Sequence, residues 1–172
     1  MRSVTWTNFY ITIATAAATL LGLLFVAVQF NLQQLPASHP QQWLATARAT
    51  FVVFASLFLL PAMSLIPGQG HQGLVLETGV VAVVSGWRII VAWLPYRKEV
   101  VGERARAVRH ALWLTVGPLV FYALIVGSTI AYPPKSARYT VAYLLVMMFA
   151  LAMRNSWHLL VELRVANEQR SM

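Results

Sequence analysis

Five uncharged or nearly uncharged apolar runs divide the chain: Phe9 to Phe30, Ala49 to Ile66, Leu74 to Leu94, Ala111 to Tyr132, and Thr140 to Leu160. A helix rising 1.5 Å per residue needs roughly 20 such residues to cross about 30 Å of hydrocarbon, and each run approaches that length. The pattern predicts an all-α fold, an integral membrane bundle of five transmembrane helices forming one domain over residues 1–172. The second run is the shortest and carries Pro61, whose missing N–H and bulky ring should bend or end the helix near its final turn. The first run is longer than a signal-peptide core and no A-x-A cleavage site follows it, so it reads as a retained span.

Composition agrees with this reading. Hydrophobic residues make up 59% of the chain and charged residues 10%. A soluble fold of this size has no interior large enough for that much apolar surface, and disorder is excluded by the same figures. With no cysteine, disulfides, thiolate metal sites and cysteine nucleophiles drop out together. The formal net charge of +8 would suggest nucleic acid in a soluble domain. In a bilayer, basic residues that collect in cytoplasmic segments account for it, and no nucleic-acid partner is expected.

Counting those residues fixes an expected orientation. With the N-terminus outside, Arg48, Arg88, Arg97, Lys98, Arg104, Arg106, Arg109, Arg154, Arg164 and Arg170 lie inside, while Arg2, Lys135 and Arg138 lie outside. The expected topology is therefore N-out and C-in, with Pro95 to His110 as the main cytoplasmic loop, which winds into the fourth span from Glu103 and leaves Arg106, Arg109 and His110 on its first turns. Trp6, Tyr10, Tyr132 and Tyr139 would anchor the outer interface, and Trp43, Trp93, Tyr96, Trp113 and Trp157 the inner one. Pro36 and Pro40 interrupt the first connection, and the PGQGHQG stretch from Pro67 to Gly73 reads as a tight outer turn.

Lipid tails are as apolar as leucine, so membrane helices associate where small residues permit close approach. Ala14, Ala18 and Gly22 follow i, i+4, i+8 on the first span, and Ala82 and Gly86 repeat the spacing on the third. Both stripes are expected to pack, either within the chain or against another subunit.

Ionisable groups within spans are costly, so each is either satisfied structurally or used. Glu77 and Arg88 are eleven residues apart, about 20° beyond three full turns, and share a helix face at roughly 16 Å, too far to pair. Arg88 and Arg154 either snorkel to the inner interface or form, with Arg48, a cationic level that binds a lipid phosphate or steers anions through an oligomeric pore. Arg97, Lys98, Arg104, Arg106 and Arg109 are further candidates for contact with anionic lipid. On the last span Arg154, His158 and Glu162 can form a ladder on one face, with Asn155 beside it to reach a neighbouring helix. Glu77 follows the outer turn; it either accepts hydrogen bonds there or exchanges protons with the outer solution, helped by His71.

No Walker loop, GxGxxG, HExxH or GxSxG motif occurs, so no catalytic residue, metal ligand or cofactor is assigned. Heme would require histidines paired in depth, and only His110 and His158 approach that condition.

The segment NFYITIATAAATLLGLLFVAVQFN resembles the opening of a widespread group of small multi-pass bacterial inner-membrane proteins, with its FY pair, small-residue run and GLLFVA. The segment ARATFVVF, the IPGQ turn followed by LVLE, and NSW in the last span are similar to later blocks of that group. The resemblance implies a bacterial inner-membrane location and a several-span bundle, with Glu77, Arg48 and Asn155 as matching polar positions. It supplies no activity. The leading expectation is a non-enzymatic membrane subunit that packs against copies of itself or a larger complex and holds anionic lipid at its inner arginines. The alternative is a homo-oligomeric channel or carrier with Glu77 as outer proton or gating site and Arg88 and Arg154 favouring anions.

Overall fold

A computed structural model places the backbone of residues 2–31, 40–68, 70–100 and 105–170, and describes side chains for residues 6–30, 44–68, 70–92, 115–159 and 161. Among these the chain is five helices with no strand: α1 (Arg2–Asn31), α2 (Pro40–Ser64), α3 (His71–Val100), α4 (Ala105–Ala131) and α5 (Pro134–Arg170). Four contain segments long and apolar enough to cross a membrane, namely Trp6–Phe30, Leu44–Ser64, His71–Ala92 and Pro134–Leu159. The described apolar part of α4, Thr115–Ala131, is shorter.

The helices outrun the apolar stretches that predict them. Helix α4 begins at Ala105, close to the expected entry at Glu103, whereas α3 passes through Pro95 to Val100, so the first part of the expected loop is helical and only residues 101–104 separate the two helices. The reason is that hydropathy marks where a helix meets hydrocarbon; it does not mark where backbone hydrogen bonding stops. Prolines set the helix starts more faithfully. Pro40 opens α2 and Pro134 opens α5, positions where a missing N–H costs nothing because the first turn has no carbonyl to donate to.

Pro61 lies inside α2, which ends three residues later at Ser64. The last turn then tightens, with Leu65 N donating to Ala62 O at 3.3 Å and Ile66 N to Met63 O at 3.0 Å. Gly68 follows at φ +78°, a left-handed conformation that strains any residue with a Cβ. The chain re-enters a helix at once, and Leu74 N donates to Gly70 O at 3.2 Å.

Helix α2 is the hub and touches each of the other four. Of its apolar segment 56% is buried, against 17% for α1, so α1 leans on the bundle by one narrow face. Phe54, Leu57 and Leu60 of α2 form the centre with Ile89, Ile125, Leu145 and Met148 from the three later helices. The outer perimeter is apolar: Leu23, Phe30, Leu76, Val83, Trp87, Ile130 and Met147 are all exposed. In water that surface would drive aggregation; in hydrocarbon it is the solvated state.

The face that α1 buries is Tyr10, Ala14, Ala17 and Leu24, with Leu21 packed beside them, which is a seven-residue repeat. Ala18 and Gly22 are exposed, and a Cβ built on Gly22 meets nothing within 4 Å. Of the stripe Ala14–Ala18–Gly22, only Ala14 packs within the chain. Steps of four residues advance about 40° each around a helix, so the stripe walks off the interface, whereas alternating steps of three and four stay on it. The second stripe does pack. Gly86 is buried beneath Leu119 of α4, where an added Cβ would lie 3.2 Å from Leu119 Cδ2, and Ala82 packs against the core. Gly117 meets Leu151 of α5 in the same way, also at 3.2 Å.

Candidate functional site

The end of the bundle where α1 begins is called the upper end, and the opposite one the lower. Antiparallel packing of α2 and α3 sets the register between them. Ser56 Oγ lies 2.8 Å from Ser85 Oγ, and eight residues further along each helix Ser64 Oγ donates to Glu77 Oε1 at 3.2 Å. One register thus places a serine pair at mid-bundle, the acid at the upper end, and Arg48 and Arg88 together at the lower end.

The mid-bundle pair belongs to a buried polar seam that ties three helices. Tyr122 of α4 donates its hydroxyl to Ser56 Oγ at 2.7 Å, and Ser56 Oγ also contacts its own helix at Val52 O, 2.8 Å. Thr78 Oγ1 and Thr129 Oγ1 make a second α3–α4 contact at 3.3 Å. Such hydroxyl contacts add directional links between helices to their apolar packing. No motif points to these residues, since they lie 29 to 66 positions apart in sequence.

At the lower end Arg48, Phe51 and Val52 of α2 face Trp87, Arg88, Val91 and Ala92 of α3 across an open cleft of ≈ 610 Å³. Both arginines are exposed. The cleft joins two guanidinium groups, with their planar forks of N–H donors, to two aromatic rings and an aliphatic floor. Chemically this suits an anionic head attached to an apolar tail. Arg154 is exposed on α5 and does not line the cleft, so the structure brings together two members of the expected cationic level and not the third. Asn155 is buried at 5% exposure on the α5 face that also buries Ala152 and Leu159, while His158 is exposed. The side chains of Arg97, Lys98, Arg104, Arg106, Arg109, His110 and Glu162 lie outside the described residues.

At the upper end Glu77 is 3% exposed although Arg88, on the same face of α3, is exposed. The last turn of α2 brings Ser64 against the upper part of this face, whereas the lower part borders the cleft. Beside Ser64 opens a cavity of ≈ 250 Å³ lined by residues of α1, α2, α3 and α5, among them Trp6, Tyr10, His71 and Arg138. The Tyr10 hydroxyl sits in the fields of both Arg138 and Glu77. Trp6 packs edge-on against Tyr139 at 4.8 Å between ring centroids, fixing α1 to α5 at this level. Among the described residues no group of three or more His, Asp or Glu is placed to hold a metal ion.

The fold and these two sites define a class, a helical bundle with an apolar perimeter and a polar feature at each end. No family model, curated protein or solved structure matches the chain.

Proposed function

We propose that this protein is a non-enzymatic multi-pass membrane subunit, oriented N-out and C-in in a bacterial inner membrane, that holds an anionic lipid at its cytoplasmic end. The observation that carries the reading is the convergence of Arg48 and Arg88 on one open cleft with Phe51 and Trp87. Two cations from different helices on one cleft attract a lipid phosphate, and the rings and aliphatic floor accept the start of an acyl chain. The subunit part of the reading is supported by α1, of whose apolar segment only 17% is buried and whose outer face presents Ala18 and Gly22 for close contact with a neighbouring helix.

The test is lipid retention. Protein purified in mild detergent and offered equal phosphatidylglycerol and phosphatidylcholine should keep the anionic lipid in native mass spectra, and Arg48→Gln with Arg88→Gln should abolish the preference. Equal retention of both lipids by the unaltered protein would overturn the reading. So would ion flux in liposomes that changes on Glu77 or Arg88 substitution, since that is the behaviour of a channel or carrier.

A further inference from the structure

The upper cavity supports an inference independent of the lower cleft. Residues with donor groups line it from three helices: Arg138 of α5, His71 of α3, and Tyr10 and Trp6 of α1. His71 Nδ1 is buried and has no hydrogen-bond partner among the described residues. A buried ring nitrogen is normally satisfied, so an unpartnered one on a residue that lines the cavity leaves His71 with hydrogen-bonding capacity to spare. Gly70, His71 and Pro134 bring the first turns of α3 and α5 to the same cavity, and their positive ends add to the field of the side chains.

The negative group of this region is Glu77. It does not line the cavity and lies behind Ser64, whose hydroxyl donates to it. The donors that do line the cavity approach from several sides, which matches a tetrahedral oxyanion better than a flat carboxylate. At roughly 30 Å³ per water the volume holds about eight waters, more than one phosphate fills, leaving room for an ester substituent. We propose that the cavity bounded by Arg138, His71, Tyr10 and Trp6 binds a phosphoryl group, either free or as the headgroup of a phospholipid.

The experiment uses the full chain carrying Arg48→Gln and Arg88→Gln, so that the lower cleft is silent and the two proposals fail separately. Inorganic phosphate, and in a second arm dihexanoyl phosphatidylglycerol, is titrated by calorimetry onto protein in an uncharged detergent. Saturable binding is expected in at least one arm; the first arm succeeding identifies free phosphate as a sufficient ligand, the second alone a lipid headgroup. Arg138→Gln should weaken it about tenfold, since a charge-assisted pair with a phosphate is lost. Arg138 is exposed, so that variant should elute as the parent does. His71→Ala should weaken binding about fivefold. Glu77→Gln removes an opposing charge and should tighten it about threefold. No saturable binding in either arm, or an Arg138→Gln variant that binds as well as the parent, overturns the proposal. Weaker binding in Glu77→Gln also overturns it, because that result means that the ligand's recognised group is a cation.

Discussion

The two ends of the α2–α3 pair use the same materials to opposite effect. At the upper end the ionisable group is a carboxyl taken almost wholly out of solvent and hydrogen-bonded to Ser64. At the lower end the ionisable groups are two guanidiniums left on an open cleft. The register that unites them is single, so the difference comes from what each end is packed against, and from chemistry. A carboxylate on a short stem cannot reach the interface, whereas arginine carries its charge on a long apolar stem and can. The lesson is that depth along a helix does not decide whether an intramembrane charge is structural or available; the neighbouring helix does.

Four variants break or sharpen this comparison, in descending order of effect. Gly86→Leu lies between the two ends and should disturb both, because the new side chain must displace Leu119; the expected loss is about 1–3 kcal/mol, read as a lower unfolding temperature in detergent. Ser64→Ala should act on the upper end alone by withdrawing one donor from Glu77, costing about 1 kcal/mol in the same assay and leaving retention of phosphatidylglycerol unchanged. The pair Arg48→Gln and Arg88→Gln should do the reverse, moving stability by no more than about 0.5 kcal/mol while erasing lipid preference. Gly22→Leu points where no described atom lies within 4 Å and should leave the unfolding temperature of the isolated chain within error. An unfolding temperature that fell as far for Gly22→Leu as for Gly86→Leu would show that α1 packs by a different face.

These glycines also show what was legible in the sequence. Both sit in small-residue stripes with the same spacing, and hydropathy places both within spans. Only packing separates them, because an i+4 ridge and a seven-residue repeat diverge slowly and a short stripe does not reveal which one faces a partner. The five helices were readable because hydrocarbon demands long apolar runs, and the end of α2 because Pro61 and Gly68 punctuate it. Only the stretch from Pro95 to Val100 departs from the expected loop, because charged residues mark the end of the apolar stretch and not the end of the helix. For the candidate sites, Arg48 and Arg88 could be assigned one depth from sequence, but not one cleft. Arg154 shares the expected depth and does not line the cleft. The Ser56–Ser85–Tyr122 seam left no trace, since a lone serine in an apolar run reads the same whether it faces lipid or another helix.

The serines and threonines of α2 bear on how the protein is made. Helix α2 precedes α3, α4 and α5 in the chain, so it is synthesised before the helices that cover it. Thr50 and Ser56 each donate to a carbonyl one turn back in their own helix, at 2.9 and 2.8 Å. Bonds of that kind need no partner helix, so in a bilayer the future hub can wait in oil with these hydroxyls already satisfied. Assembly then reduces to docking of finished helices, and the hydroxyl oxygens' spare lone pairs remain free to receive Tyr122 when it arrives.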